Sequence, residues 1–301
     1  MISSLVNDRT LSPRELARAL GVSESSVKRW IDAGRVQARL TAGGHRRVEL
    51  LPALRFFRDS GRELADPSVL GLEYFSRQAL DDDDALSERI FELLRAGHDG
   101  EVAEAILTAL VFRPMQPADL FDGPVRTAMA RIGSLWADGQ QGIYVEHRAT
   151  QILLRIMDQI DALFEPPADG LIAMGGSIDG DPSVLPSRMA STVLASEGFC
   201  SVNLGGDIPA AAFLEAADKL GAQIVWVSVS YVSDVRRQSH AVTRLVDQLA
   251  ERGLSCILGG REIHRLQLSP AGKARVGLGM QELATLARQV QPAAVRRVRE
   301  G

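Results

Sequence analysis

The sequence has few of the residues that define disulfide-rich, metal-binding or membrane proteins. It contains 2 cysteines in 301 residues, Cys200 and Cys256, and both lie in short apolar runs that predict buried strands. No apolar run reaches the roughly 18 residues that span a bilayer. The first residues, MISSLVNDRT, lack the charged and apolar regions of a signal peptide. We therefore expect a cytoplasmic protein with no membrane partner.

Signatures of catalysis are also missing. The glycine pairs at 175–176 and 205–206 match neither a Walker phosphate loop nor the GxGxxG fingerprint. The HxE and CxxC pattern of zinc enzymes is absent, and no order of a catalytic triad can be read. The sequence predicts no enzymatic activity, no catalytic residue and no metal site.

Charge is distributed unevenly along the chain. The net charge is −4, but residues 1–62 carry 12 Lys and Arg against 6 Asp and Glu, whereas the remainder carries 22 against 32. A basic front on an acidic body is typical of a nucleic-acid-binding head joined to another module.

The basic front contains two short predicted helices. Ser12 and Glu15 form a capping box at the start of the first helix, and Ser23 caps the second. Two short helices joined at a glycine, here Gly21, predict a helix-turn-helix whose second helix contacts DNA bases. On that helix Val27, Trp30 and Ile31 are expected to pack inward. The candidate DNA-binding residues are Ser25, Ser26, Lys28 and Arg29.

A glycine-rich basic stretch, RLTAGGHRR at 39–47, follows these helices. Its two glycines permit a tight hairpin whose basic side chains can contact phosphates. The candidate contacts are Arg39, Thr41, Gly43, Gly44, His45, Arg46 and Arg47. The order LxxxELAxxLGVSxxxVxRW and then TxGGHRR resembles the winged head of MerR-family regulators over residues 9–60. The resemblance implies operator DNA as a partner. We expect a homo-oligomer, a dimer or tetramer, because one small head buries too little surface for strong specificity.

The rest of the chain divides into a helical part and an α/β part. Apolar residues at spacings of three and four predict helices over 69–79, 85–96, 101–112, 118–136 and 144–164. Apolar runs at 171–174, 201–204, 224–229 and 256–258 alternate with helices, which predicts a parallel sheet with ligands at its carboxyl edge. A last helix is predicted over 281–290, followed by a basic end, Arg296–Arg299.

The predicted fold is multidomain, α and α/β. A winged helix-turn-helix domain is expected over residues 1–65 and a four-helix-bundle cap over 66–166. A flavodoxin-like (Rossmann-like) parallel-sheet domain is expected over 167–301.

Within the bundle, Trp136 stands nine residues before Glu146 and His147. By themselves these residues indicate only a core tryptophan and a hydrogen-bonded histidine. In context the spacing resembles the cap bundle of the CarH/LitR group of MerR regulators, which covers the upper face of a cobalamin. The resemblance implies that all three residues face that ligand. Light-sensing members carry a histidine beside this tryptophan, where this chain has Ala137, so the resemblance is incomplete at the position that serves the photochemistry.

The α/β part resembles the cobalamin-binding domain of methionine synthase, of mutases and of CarH. That family carries DxHxxG after its first strand, SxL after its third and GG after its fourth. This chain has DPSVLP at 181–186, SVS at 228–230 and an intact glycine pair. The ligand-binding candidates implied here are Asp181, Ser183, Ser228, Ser230, Gly259 and Gly260.

Two departures from this pattern concern the cofactor. The family histidine ligates cobalt from below, and Ser183 stands in its place as a poor, shorter donor. Pro186 replaces the motif glycine and removes a backbone N–H beside the site where the dimethylbenzimidazole tail inserts. Standard base-off, His-on binding of cobalamin, such as adenosylcobalamin, is therefore not expected. We do not expect His240 or His264 to substitute.

The main hypothesis is a DNA-binding regulator whose bundle and α/β domain work without a ligand or sense another small molecule, such as a tetrapyrrole. The first alternative is a CarH-like regulator, light-responsive or not, that still depends on cobalamin, bound base-on or through an altered lower contact. A corrinoid carrier in methyl transfer is a further alternative, and a pure protein-interaction adaptor is another.

Overall fold

The structure of the chain is a computed structural model. It describes residues 9–62, 64–70, 82–113, 115–135, 140–164, 166–167, 169–268 and 274–290. Across these ranges, no helix combines the length and the apolar character that a membrane crossing requires.

The chain divides into two compact units. The first comprises Met1–Gln116 and Gly123–Leu163, and the second comprises Pro117–Asp122 and Phe164–Gly301. A six-residue segment therefore belongs to the second unit although its neighbours in sequence belong to the first. The predicted domain boundaries after residues 65 and 166 stay predictions.

The N-terminal part of the first unit combines three helices with a small antiparallel sheet. Its elements are β1 (Thr10–Leu11), α1 (Pro13–Leu20), α2 (Glu24–Asp32), β2 (Arg39–Leu40), β3 (Arg46–Glu49) and α3 (Leu50–Ser60). The strand order is β1-β3-β2, and β2 pairs with β3 as the predicted hairpin. The predicted capping box is confirmed, because Glu15 N–H donates to the Ser12 hydroxyl and Ser12 N–H donates to the Glu15 carboxylate.

Apolar side chains from these helices form the core of the N-terminal part. Leu16 and Val27 are fully buried. Trp30 and Ile31, which were expected to pack inward, are only half-buried. The Trp30 ring lies 5.0 Å from the ring of Phe56 on α3, so its buried side still stabilises the contact between α2 and α3.

The helical region that follows has these elements: a 3-10 turn (Pro67–Leu70), α4 (Asp83–Ala96), α5 (Asp99–Phe112), α6 (Pro117–Leu120), a π turn (Phe121–Val125), α7 (Arg126–Ser134) and α8 (Gln140–Asp161). The helix predicted over 118–136 is confirmed over residues 117–134, with a π turn in its middle. Pro124 has no N–H to donate, and its ring disturbs the preceding turn, so the regular α-helical hydrogen-bond pattern is lost there. Most of the helix predicted over 69–79 lies outside the described residues.

The second unit contains the predicted parallel sheet. Its elements are β4 (Ile172–Ser177), α9 (Leu185–Ser196), β5 (Cys200–Asn203), α10 (Ala210–Leu220), β6 (Ile224–Ser228), α11 (Val235–Glu251), β7 (Ser255–Gly259), β8 (Ala274–Val276) and α12 (Met280–Val290). All strands are parallel, in the order β5-β4-β6-β7-β8, which confirms the flavodoxin-like topology. Strand β8 was not predicted, because three mostly exposed residues carry no apolar run.

Helices cover the two faces of this sheet. Val225 and Val227 of β6 belong to one buried cluster with Phe213 of α10 and Val242 of α11. The opposite face lies against α9, whose buried residues include Val193 and Leu194. Each fully buried aliphatic or aromatic side chain stabilises such a core by about 1.5–3 kcal/mol. The core holds the strand ends, and therefore the loops that follow them, in a defined arrangement.

Candidate functional site

The carboxyl edge of the parallel sheet is one candidate site. The crossover direction reverses between β4 and β6, and ligands of such sheets bind at this switch point. The loop after β4 carries Asp181 and Ser183, and the loop after β6 carries Ser230. The turn after β7 begins at Gly260. The fold thus brings together the candidate ligand-binding residues that the sequence placed in the α/β part.

Asp181 is the centre of this edge. Its side chain is fully buried, at 0 % exposure. One carboxylate oxygen accepts the Ser183 N–H at 2.9 Å, and the other accepts the Ser230 N–H at 2.5 Å. Its backbone carbonyl accepts the Asp207 N–H at 2.8 Å. A buried carboxylate needs such donors. Asp181 therefore links the loops after β4 and β6, and both of its carboxylate oxygens accept hydrogen bonds from backbone N–H groups.

The loop that contains Ser183 is held from the sheet. The Ser177 hydroxyl, at the end of β4, donates to the Ser183 carbonyl at 2.5 Å. The Ser183 N–H is bonded to Asp181. Both backbone groups of Ser183 are therefore engaged within the loop, and the side chain is half-buried.

Two further candidate positions lie at the ends of β6 and β7. The hydroxyls of Ser228 and Ser230 are buried and lie 3.4 Å apart. The Gly259 carbonyl accepts the Val229 N–H at 2.8 Å. Gly260 has a φ of +103°, and a Cβ there would lie 2.3 Å from the Val229 carbonyl oxygen. Only glycine permits this approach, so the GG pair sets the spacing of the two loops.

These residues do not fit a corrinoid that is ligated from below by an imidazole. Ser183 offers a neutral hydroxyl at the position of the family histidine. His240 lies exposed on α11, and His264 lies exposed on the short 3-10 turn after β7. Across the described residues, no group of three or more His, Cys, Asp or Glu could hold a metal ion.

Trp226 on β6 was not identified by the sequence analysis. It is 2 % exposed, and its indole N–H donates to the Ser187 hydroxyl of α9 at 3.0 Å. Ser187 in turn donates to the Asn203 side-chain oxygen at 2.9 Å. The indole covers Gly175 of β4, where a Cβ would lie 2.4 Å from the ring. The sequence offered one signal, a tryptophan in one predicted strand and a glycine pair in another. Only the strand register shows that these residues are neighbours.

Gln238 on α11 was also missed. It is buried, its amide oxygen accepts the Ser233 N–H at 3.0 Å, and its amide nitrogen donates to the Asp179 carbonyl at 3.1 Å. Asp179 also forms an ion pair with Arg237. The hydrogen bond and the charge attraction of Asp179 raise the pKa of the Arg237 guanidinium. These contacts anchor α11 to the loop after β4. A glutamine in the polar first turn of a helix gives no indication in the sequence that it anchors the helix to a loop.

The exposed side of α2 is a second candidate site. Ser25, Lys28 and Arg29 are exposed, and Ser26 is half-buried. Arg29 donates to the Ser26 hydroxyl at 3.3 Å. Lys28 lies 2.7 Å from Glu24, and this hydrogen bond with its charge attraction lowers the pKa of the Glu24 carboxyl. Two cationic groups therefore lie at the surface of this helix.

The hairpin of β2 and β3 closes as predicted. The Gly44 N–H donates to the Thr41 carbonyl, and the Thr41 N–H donates to the His45 carbonyl, both at 2.8 Å. Gly44 has a φ of +76°, a conformation that favours glycine. Gly43 and His45 are exposed at the same tip. The hairpin therefore presents polar backbone and an imidazole to solvent.

Three arginines of the hairpin each face one carboxylate. The pairs are Arg39 with Glu49 at 3.1 Å, Arg46 with Asp32 at 2.7 Å and Arg47 with Glu15 at 3.5 Å. Such partly exposed pairs typically stabilise a protein by only about 0–1 kcal/mol. A phosphate can therefore replace the carboxylate at small cost.

The third group of candidates lies in the helical region. Glu146 is half-buried and His147 is exposed, both near the start of α8. Trp136 lies outside the described residues. The predicted grouping of the three around a ligand stays a prediction.

Part of the helical region matches a known family model. Residues 86–161, from α4 to α8, match the family model of the B12 binding domain. This match and the similarities below support a module of the cobalamin-binding type in this chain. The resemblance of residues 9–60 to MerR heads rests on the sequence alone.

Known relatives cover about half of the chain. It is 22% identical to dimethylamine corrinoid protein 2 of Methanosarcina mazei over 166 residues, which are 52% of this chain and 76% of that protein. It is 23% identical to dimethylamine corrinoid protein 2 of Methanosarcina acetivorans, covering 48% of this chain and 69% of that protein. The monomethylamine corrinoid protein of Methanosarcina barkeri has the same fold, with a TM-score of 0.51 and 16% identity, over 70% of this chain and 100% of that one.

Proposed function

We propose that the chain is a DNA-binding regulator whose helical bundle and α/β domain form a corrinoid-dependent sensing module. One observation carries the proposal. Two short helices joined by a tight turn, and a basic hairpin, precede a part of the chain that is similar to corrinoid proteins. That similarity supports the cobalamin-dependent alternative over a module that works without a ligand.

The DNA-binding part of the proposal rests on exposed cations. In a winged helix-turn-helix the second helix enters the major groove and the hairpin contacts the phosphate backbone. Here α2 presents Lys28 and Arg29, and the hairpin presents Arg39 and Arg46. The carboxylate partners of Lys28, Arg39 and Arg46 lie at the surface and bind weakly, so phosphates can displace them.

The sensing part follows from mass action. A ligand that binds one assembly state of the protein more tightly stabilises that state, and thereby changes how many heads engage one DNA site. Ser183 offers cobalt no imidazole, so we propose that the corrinoid is held through the loops and not through a lower protein ligand.

The test measures binding of the full chain to a fluorescent random-sequence duplex at several salt concentrations. We expect Arg29→Ala to weaken binding and to reduce the slope of log affinity against log salt by about 0.9, since one phosphate contact is lost. Arg236→Ala is the matched control, because Arg236 is an exposed arginine of α11 in the second unit. Equal affinity and slope for Arg29→Ala and the wild type would contradict DNA binding by α2.

A corrinoid carrier in methyl transfer is the second candidate function. The names of the relatives, dimethylamine corrinoid proteins, favour it. The serine at position 183 and the basic head argue against it. The chain loaded with methylcobalamin should keep its methyl group in the presence of a thiol acceptor and a corrinoid methyltransferase. Loss of the methyl group, faster than from free methylcobalamin, would favour the carrier.

A further inference from the structure

We propose that the Trp226 indole fills the groove that would take the nucleotide tail of cobalamin, so that a corrinoid binds this module only with its tail outside the α/β unit. The inference deepens the proposed function and rests on its corrinoid part. The tail groove is defined here as the space between β4, β6 and the start of α9, lined by Gly175, Ser187 and Trp226.

The position of this groove follows from the start of α9 and from the resemblance of the DPSVLP loop to the cobalamin-binding motif. Helix α9 begins at Leu185, inside the DPSVLP loop beside which the family tail inserts. The Trp226 ring covers Gly175 and reaches Ser187 in the first turns of α9. The indole therefore occupies the space that opens behind this loop.

The Trp226 indole has nearly the same shape as the benzimidazole of the tail that it would exclude. Indole and benzimidazole are both fused six- and five-membered aromatic rings. Trp226 is 2 % exposed, so its ring is almost entirely withdrawn from solvent. Close-packed interiors leave no room for a second bicyclic ring in the same space.

Polar contacts hold the indole in place. Its N–H donates to Ser187, Ser187 donates to Asn203, and the Asn203 side-chain oxygen also accepts the Gly205 N–H at 3.1 Å. Moving the ring out would break the hydrogen bond to the buried Ser187 hydroxyl and leave a cavity between the sheet and α9, which is unfavourable. Trp226 is therefore a fixed part of the unit and not a gate that a tail can easily displace.

The loop below the candidate site agrees with this inference. Ser183 cannot displace the benzimidazole from cobalt as an imidazole can. Pro186 has no N–H and a fixed φ, so the loop also lacks the glycine that leaves space in the family. A bound cobalamin would thus keep its tail in the arrangement that it has in free solution.

The experiment compares adenosylcobalamin with adenosylcobinamide, which lacks the nucleotide tail, on the wild-type chain in the dark. We expect the two dissociation constants to agree within about threefold, because no tail surface is buried. The visible spectrum of bound adenosylcobalamin should remain that of the base-on form. Burial of a bicyclic ring would instead favour adenosylcobalamin by about tenfold or more.

The outcomes separate this inference from the proposed function. A tenfold preference for adenosylcobalamin or a base-off spectrum would overturn the inference and leave the corrinoid-dependent function intact. Failure of both corrinoids to bind would overturn the corrinoid part of the function and this inference with it.

A variant pair tests Trp226 itself. Trp226→Leu removes the bicyclic ring from the tail groove, whereas Trp226→Phe keeps an aromatic ring there. We expect Trp226→Leu alone to gain a preference for adenosylcobalamin over adenosylcobinamide, with circular dichroism showing that both variants are folded. An unchanged ratio in a folded Trp226→Leu variant would contradict the role of Trp226. If that variant does not fold, the wild-type comparison decides.

Discussion

The N-terminal part and the carboxyl edge of the parallel sheet hold their polar groups in opposite ways. On the hairpin, Arg39, Arg46 and Arg47 are partly exposed, and each faces one carboxylate. At the sheet edge, Asp181 and Ser230 are buried and bond to each other. A surface cation can exchange a carboxylate partner for a phosphate. Buried groups that are hydrogen-bonded to each other can bind a ligand only if the loops that carry them change conformation.

The two regions therefore differ in what a substitution should cost. An exposed ion pair stabilises the fold by about 0–1 kcal/mol. A buried donor that loses its partner costs about 1–3 kcal/mol. We expect stability to depend on the sheet edge and DNA affinity to depend on the hairpin.

The largest effect is expected for Asp181→Ala. Two backbone N–H groups, those of Ser183 and Ser230, would lose their acceptor, so the free energy of unfolding should fall by about 3 kcal/mol or more. Asp179→Ala is the control, because Asp179 forms a partly exposed pair with Arg237 and should cost about 1 kcal/mol or less. Urea unfolding followed by circular dichroism measures both. Equal costs would mean that the Asp181 carboxylate does not join the loops.

A smaller effect is expected on DNA affinity at the hairpin. Arg46→Ala should weaken duplex binding about tenfold, as the loss of one phosphate contact. Asp32→Asn removes the carboxylate that lies 2.7 Å from Arg46, so it should strengthen binding about twofold, since the arginine is freed for phosphate. Fluorescence anisotropy at fixed salt measures both. Weaker binding by Asp32→Asn would show that the pair positions Arg46 for DNA and does not compete with it.

The capping box of α1 should contribute less to stability than Asp181. Ser12→Ala removes the acceptor of the Glu15 N–H, at a cost of about 1 kcal/mol in the free energy of unfolding. Gln37→Ala is the control, because Gln37 is exposed in the connection before the hairpin and should change stability by no more than about 0.5 kcal/mol. If Ser12→Ala lowers the free energy of unfolding by no more than the Gln37→Ala control does, the cap does not stabilise the protein.

The smallest effect is a pH dependence of the same cap. Hydrogen bonds from the backbone and side chain of Ser12, with the charge of Arg47, lower the pKa of the Glu15 carboxyl below its ordinary value of 4.5. A carboxyl with a lowered folded pKa adds stability above about pH 4.5, and this stability is lost as the pH falls through the folded pKa. The wild type should therefore exceed Glu15→Gln in Tm at neutral pH and lose that advantage as the pH falls below 4.5 and the carboxyl becomes protonated. A constant difference across this range would contradict the charged cap.

Local patterns accounted for most elements of the fold. The capping box located the start of α1, the glycine pair located the hairpin tip, and the apolar run at 224–229 located β6. Each of these features depends on residues close in sequence. The apolar spacing predicted the helix around Pro124 but not the π turn within it, because that turn depends on the missing N–H of Pro124.

The candidate site was predictable only in part. The motif positions placed Asp181, Ser228 and Gly260 at one sheet edge, which the strand order confirms. Trp226 carried no motif, because a tryptophan in a buried strand is also an ordinary core residue. Its proximity to Gly175 depends on the register of β6 against β4.

The amino-acid sequence by itself determined the basic front, the capped helices, the alternation of strands and helices, and the serine at position 183. The tertiary structure alone decided that Asp181 accepts the Ser230 N–H and that the Trp226 indole donates to Ser187. These contacts join residues 49 and 39 positions apart in the chain. Strand order and register bring such partners together, and both are set by packing of the whole sheet, which no local pattern contains.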